Sequence, residues 1–131
     1  FHEAKVNNLK SVTIWGTGSP LREFLHVEDV ARASIQIMSL GKKKYNKIVK
    51  PISHINIGSG EEVSIKTLAE LIKNIVNYKG KIKFDRTKPD GSLRKLLNNK
   101  RLVKIGFKHQ INLKDGLEQV YKYFISGNSR Y

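Results

Sequence analysis

The chain has 131 residues, one domain's worth of sequence and enough to bury a core. It has no cysteine, which excludes disulfides and cysteine-ligated metal, and no apolar run near the roughly 18 residues that span a bilayer. Its formal charge of +14 admits a polyanion ligand, but nineteen of the 25 basic residues are lysines spread along the whole chain, a pattern closer to a solvated surface than to an arginine- and aromatic-rich nucleic-acid face.

The opening residues FHEAKVNNLK lack the charged-then-apolar order of a signal peptide, so a cytoplasmic protein is expected. Ser11–Trp15 (SVTIW) reads as a strand that ends in a turn at Gly16 and Gly18. Phe24–Leu25 reads as a short extended piece. Val27–Leu40 carries apolar residues around most of a helix, which therefore needs neighbours on more than one side. Gly41–Pro51, rich in lysine, reads as a loop. His54–Ile57 (HINI) reads as a strand leading into the turn Gly58-Ser59-Gly60. Ser64 is placed to cap a helix with apolar positions at Ile65, Leu68, Ala69, Ile72, Ile75 and Val76. Lys81–Phe84 is a further strand and Arg86–Asn98 an irregular stretch around Pro89-Asp90-Gly91. A short helix over Asn99–Ile105 stops at Gly106, and Asn112 is expected to cap a last helix with apolar positions at Leu113, Leu117, Val120, Tyr121 and Phe124. With no repeat and no linker, the chain reads as one α/β unit.

Neither glycine turn, GTGSPL at 16–21 or GSGEEV at 58–63, completes the G-x-G-x-x-G of a dinucleotide site. Both are expected to be plain turns. The four histidines, His2, His26, His54 and His109, show no metal-ligand spacing. No tyrosine has a lysine four residues on, so no proton relay of that kind is expected. What remains is recognition chemistry. Trp15 offers a flat indole face and one N–H donor, or is simply a core aromatic. Arg22 can clamp a phosphate with its planar fork, or pair with Glu23 or Glu28 on the surface. The loop Lys88–Lys95 carries three cations and one carboxylate. Arg94 and Lys95 can hold phosphates there while Asp90 accepts from a base or sugar, or the loop is merely solvated.

Three stretches taken together, WGTGSPLREFLHVEDVARA, HINIGSGEEVSIKTLAELI and KFDRTKPDGSLRKLL, resemble the C-terminal portion of the GDP-L-fucose synthase family. These are nucleotide-sugar epimerase/reductases of the extended short-chain dehydrogenase/reductase class. REFLHVEDVA is shared broadly among nucleotide-sugar epimerases, whereas VxxWGTG with KPDGxxRKLL is more specific. The resemblance implies an α/β, Rossmann-type fold represented here by one C-terminal substrate-binding portion, residues 1–131. It implies that the parent enzyme uses NADP(H) to convert GDP-4-keto-6-deoxy-D-mannose to GDP-L-fucose, by epimerisation and then reduction. The cofactor turn, the catalytic serine and the Tyr-x-x-x-Lys pair would precede FHEAK. No catalytic, cofactor or metal residue is therefore expected here, and the chain alone is expected to be inactive. The substrate contacts that carry over are Trp15, Arg22 and Asp90, with Lys95 beside them. A GDP-sugar is the implied ligand, and a separate Rossmann cofactor domain or a second copy the implied partner; a small basic nucleic-acid-binding protein is the alternative. Leu93 stands where the family usually has Pro, so a less rigid loop is expected there; Asn98, Phe107 and Glu28 replace the family's usual Asp, Trp and Asp without removing an expected contact. The exposed side of the Val27–Leu40 helix is expected to form an apolar patch.

Overall fold

The computed structural model describes residues 1–127, which form an α/β chain. It divides into two units, one of Phe1–Arg22, Val63–Lys95 and the segment from Lys114, the other of Glu23–Glu62 and Leu96–Leu113.

In the first unit, β1 (Ser11–Trp15) pairs in parallel with β4 (Lys81–Asp85), in a register that sets Ser11 opposite Lys81 and Trp15 opposite Asp85. The β-branched run Val12-Thr13-Ile14 suits a pleated strand, and Val12 packs on the core. That core joins Ala4 of a short helix α1 (His2–Val6) to Val76, Tyr78, Ile72 and Tyr121. It draws on two longer helices, α4 (Ile65–Val76) and α6 (Leu113–Ile125), both of the 3.6-residue period expected of them. Ser64 caps α4 as expected, its Oγ accepting from the Thr67 N–H at 3.0 Å. At the other end Lys5 Nζ donates to the Val76 carbonyl at 2.8 Å, a cation where the helix dipole is negative. A second sheet has the order β3 (Glu62–Ser64), β2 (Leu21–Glu23), β5 (Arg94–Lys95). The extended piece expected at Phe24–Leu25 is thus three residues earlier, and the stretch expected to be irregular contains a strand. Strands of two or three residues show no period; pairing alone makes them.

The second unit is built on α2 (Val27–Met38) and α5 (Lys100–Lys104), whose Ala33 and Leu102 are packed with Ile105 and Phe107. Phe107, standing where the family usually has Trp, is a core residue here. Two expectations fail. The lysine-rich stretch is a helix, α3 (Lys42–Val49), because Ile48 and Val49 gain burial while Lys42, Lys43, Lys44 and Lys47 stay in solvent. His54–Ile57 is not a strand of any sheet, although Ile55 and Ile57 pack on this core.

Asp29 is fully buried beside this core. It accepts from the backbone N–H groups of Gln110 and Ile111, each at 3.0 Å, and from Arg32. Burying a carboxylate is tolerable only with such partners, so this acid of HVED is an anchor. The outer side of α2 leaves Val27 70%, Ile35 65% and Met38 84% exposed, the apolar patch expected there.

Candidate functional site

All four residues singled out for recognition, Trp15, Arg22, Asp90 and Lys95, belong to the first unit. They lie on two segments, 15–22 and 88–95, that the fold brings side by side. Parallel pairing of β2 with β5 makes Leu21 the partner of Arg94 and Arg22 the partner of Lys95, and the Leu21 N–H adds a bond to the Leu93 carbonyl at 2.9 Å. Residues opposite one another in a ladder share a face, so Arg22 and Lys95 set two like charges together. The Arg22 guanidinium donates to the Leu21 carbonyl at 2.7 Å. Neither Glu23 nor Glu28 pairs with it among the described residues. Leu93, at the usual proline position, contributes its carbonyl, which a proline also carries.

The other end of the loop closes on the glycine turn. Asp90 Oδ1 accepts from the Thr17 N–H at 2.6 Å and Oδ2 from the Thr17 hydroxyl at 2.7 Å. With its one proton given to Asp90, the Thr17 hydroxyl accepts from Ser19 Oγ at 2.7 Å and from the Ser19 N–H at 3.1 Å. The Thr17 hydroxyl, then its N–H, with a smaller contribution from the Gly18 N–H, hold the Asp90 carboxyl below its ordinary value of 3.8 against a small opposing desolvation. Asp90 is therefore an ionised acceptor with lone pairs to spare. Trp15 is 70% exposed in this chain, outside both of its buried cores, and Lys88 Nζ lies 5.7 Å from the centre of its ring. The cation over the Trp15 ring is Lys88.

The glycines are explained by this closure. Gly16 and Gly18 have φ of +82° and +78°, and a Cβ on either would run into Asp90 or the Phe84 ring. The second turn is filled in the same way within the second unit. Glu23 Oε1 accepts from the Gly60 N–H at 2.6 Å, Oε2 accepts from the Leu97 N–H at 3.0 Å, and a Cβ on Gly58 would meet that carboxylate. A turn whose N–H groups already hold a carboxylate has no place for a pyrophosphate. Neither of these two turns therefore fits a dinucleotide cofactor. Among the described residues no group of acids and histidines could hold a metal ion.

Sequence reasoning missed Thr17 and Glu23. Thr17 stands between two glycines, a spacing that could have marked it as the residue whose side chain anchors the turn. For Glu23 nothing local could have done so, since its partners are 37 and 74 residues away.

The model of the NAD dependent epimerase/dehydratase family matches residues 1–58. A protein named putative GDP-L-fucose synthase 2 from Arabidopsis thaliana is 50% identical over 125 residues, 95% of this chain and 36% of that protein. The GDP-L-fucose synthase of Escherichia coli is 45% identical over 132 residues, 100% of this chain and 41% of that protein. Among solved structures, a GDP-mannoheptose C4 reductase from Campylobacter jejuni with NADP bound superposes with a TM-score of 0.81 at 34% identity, covering 95% of this chain and 41% of that one. The chain corresponds to the C-terminal part of these proteins and spans about two-fifths of their length. No helix among the described residues is long and apolar enough to cross a membrane.

Proposed function

We propose that this chain, GDP-L-fucose synthase-like over its whole length, is the substrate-binding portion of an NADP-dependent epimerase/reductase acting on a GDP-linked keto-sugar, residues 1–131 forming that portion. The observation that carries this is the cross-strand pair Arg22–Lys95, held in one unit with the exposed Trp15 and the ionised Asp90. Two cations on one face of a ladder repel each other, and a diphosphate between them turns that cost into attraction. Arg22 and Lys95 hold the diphosphate, the Trp15 indole lies flat against the base or sugar, and Asp90 accepts from an N–H or O–H donor of the nucleotide-sugar. Hydride transfer in the parent enzyme is the work of NADP(H), and no residue of this chain is assigned to that step.

Nothing in the site favours nucleic acid, whose recognition leans on aromatics and arginines arrayed together. Trp15 is the single tryptophan, so its fluorescence reports on this site alone. GDP and GDP-mannose should quench it saturably, and Arg22→Ala or Lys95→Ala should weaken binding about tenfold or more, the size of one lost charge-assisted contact. Quenching by an RNA oligomer and none by GDP would refute the assignment.

A further inference from the structure

The 25 basic residues run along the whole chain, but the 11 acids do not. None occurs between Asp29 and Glu61, or between Asp90 and Asp115. These two acid-free stretches supply α3 and α5, which pack against each other in the second unit. Tyr45, Ile48 and Val49 form the inner side of α3, and Ile48 shares a core with Leu102 of α5. On the outer side helical spacing sets Lys43 and Lys47, with Lys42 and Lys44 flanking them and Lys50 just beyond. All five lysines are exposed. The arrangement works against the helix that carries it. Three of the lysines occupy the first turn, at the positive end of the helix dipole, where acids are favoured. The N-cap, Gly41, contributes no side-chain bond, and Lys43 and Lys47, four apart, repel each other. Among the described residues no ion pair offsets these charges. Sequences break such local rules chiefly at functional surfaces.

We propose that the outer face of α3 docks this protein on a lipid bilayer with anionic headgroups, through the ammonium groups of Lys42, Lys43, Lys44, Lys47 and Lys50. The inference stands apart from the substrate reading above. Charge complementarity sets the sign of the partner, and the residue types set its class. Lysine is a hydrated point charge on a flexible stem, without the planar fork by which arginine grips a phosphate or carboxylate in one geometry. The outer face carries no arginine and no aromatic ring, the groups that nucleic acids and acidic peptide motifs draw on. Tyr45 is turned away, its hydroxyl donating to the Ser53 carbonyl at 3.3 Å. A row of lysines on a docked helix is matched instead by a plane of diffuse negative potential. Anionic lipid supplies one, and each lysine near it adds roughly fivefold in affinity. With Ile48 and Val49 committed to the core, α3 has no apolar face left to insert, so the contact is electrostatic and peripheral.

The test is co-sedimentation of the 131-residue chain with vesicles of equimolar phosphatidylglycerol and phosphatidylcholine, against vesicles of phosphatidylcholine alone. Binding is expected to the first only. It should be lost between about 0.1 M and about 1 M salt, as the screening length falls from about 10 Å to about 3 Å. Lys42→Gln, Lys43→Gln, Lys44→Gln and Lys47→Gln together should weaken it at least about 100-fold. Lys10→Gln, Lys66→Gln, Lys79→Gln and Lys83→Gln together remove the same charge from exposed positions of the first unit, and should weaken it less than about tenfold. Glutamine and lysine are close in helix propensity, so the thermal transition of the first set should not fall. A second measurement needs no variant: amine acetylation of the unaltered chain, read by mass spectrometry, should show Lys42, Lys43, Lys44 and Lys47 protected on the vesicles and Lys66 and Lys79 not. Equal losses from the two sets, binding to the neutral vesicles, or no protection of the α3 lysines would each overturn the proposal. So would protection of those lysines by an RNA oligomer or polyglutamate with the anionic vesicles left unbound, which would give the face to another class of partner.

Discussion

Replacing Asp29 with alanine removes the one carboxylate that the second unit buries completely. Two backbone N–H groups, of Gln110 and Ile111, lose a charged acceptor at 3.0 Å, and Arg32 loses its partner. A hydrogen bond to a charged group contributes about 1.5–3 kcal/mol net. Gln110 is exposed and Arg32 partly so, and both regain water, whereas Ile111 is half-buried and regains less. The lower end therefore applies, about 3 kcal/mol for the two bonds together. With an unfolding entropy of about 2.1 cal/mol/K per residue, this corresponds to a fall in Tm of roughly 10 °C. Asp29→Asn keeps one acceptor oxygen but turns an NH2 toward a donor, so it should lose about half as much. The assay is thermal unfolding followed by circular dichroism, with urea midpoints as a check. An Asp29→Ala protein melting within about 2 °C of the parent would show that desolvation of the carboxylate cancels its bonds, and the anchor argument would fail.

Gly16→Ala combines a left-handed backbone with a Cβ against Asp90, so GDP quenching of Trp15 should be lost, while Gly91→Ala, at φ +70° with open space around it, should retain most of it. Because the Asp90 pKa is lower in the folded chain than the ordinary 3.8, the loop contact is fully stabilising above that pH and is lost as pH falls through the lower folded value. Carboxyl NMR titration should place the Asp90 midpoint below 3.8, and Thr17→Val should move it up without restoring it fully, since the Thr17 N–H remains; an unmoved midpoint would refute the role of the hydroxyl. Ser64→Ala, which leaves the Thr67 N–H without its cap, should cost about 1 kcal/mol in urea unfolding, and Ser64→Gly only a few tenths.

The longer elements were legible without coordinates. Ser11–Trp15, α2, α4 and α6 carry local periods, and Ser64 and Gly106 mark local ends, so a window of a dozen residues suffices to read them. The candidate residues Trp15, Arg22, Asp90 and Lys95 were legible as types near turns, and as a set through their resemblance to a family. Their arrangement was not. Arg22 meets Lys95, and Thr17 meets Asp90, across some seventy residues of chain, through strands too short to show a pattern. The same holds for α3, which is helical because Ile48 and Val49 reach a core, against a run of lysines that reads as loop. His54–Ile57 shows the converse: its residues read as a strand, but a strand exists only where a second backbone lies alongside, and none does here. Local sequence sets what a segment can become, and partners distant in the chain decide whether it does, because the hydrogen bonds and buried area that stabilise it belong to both.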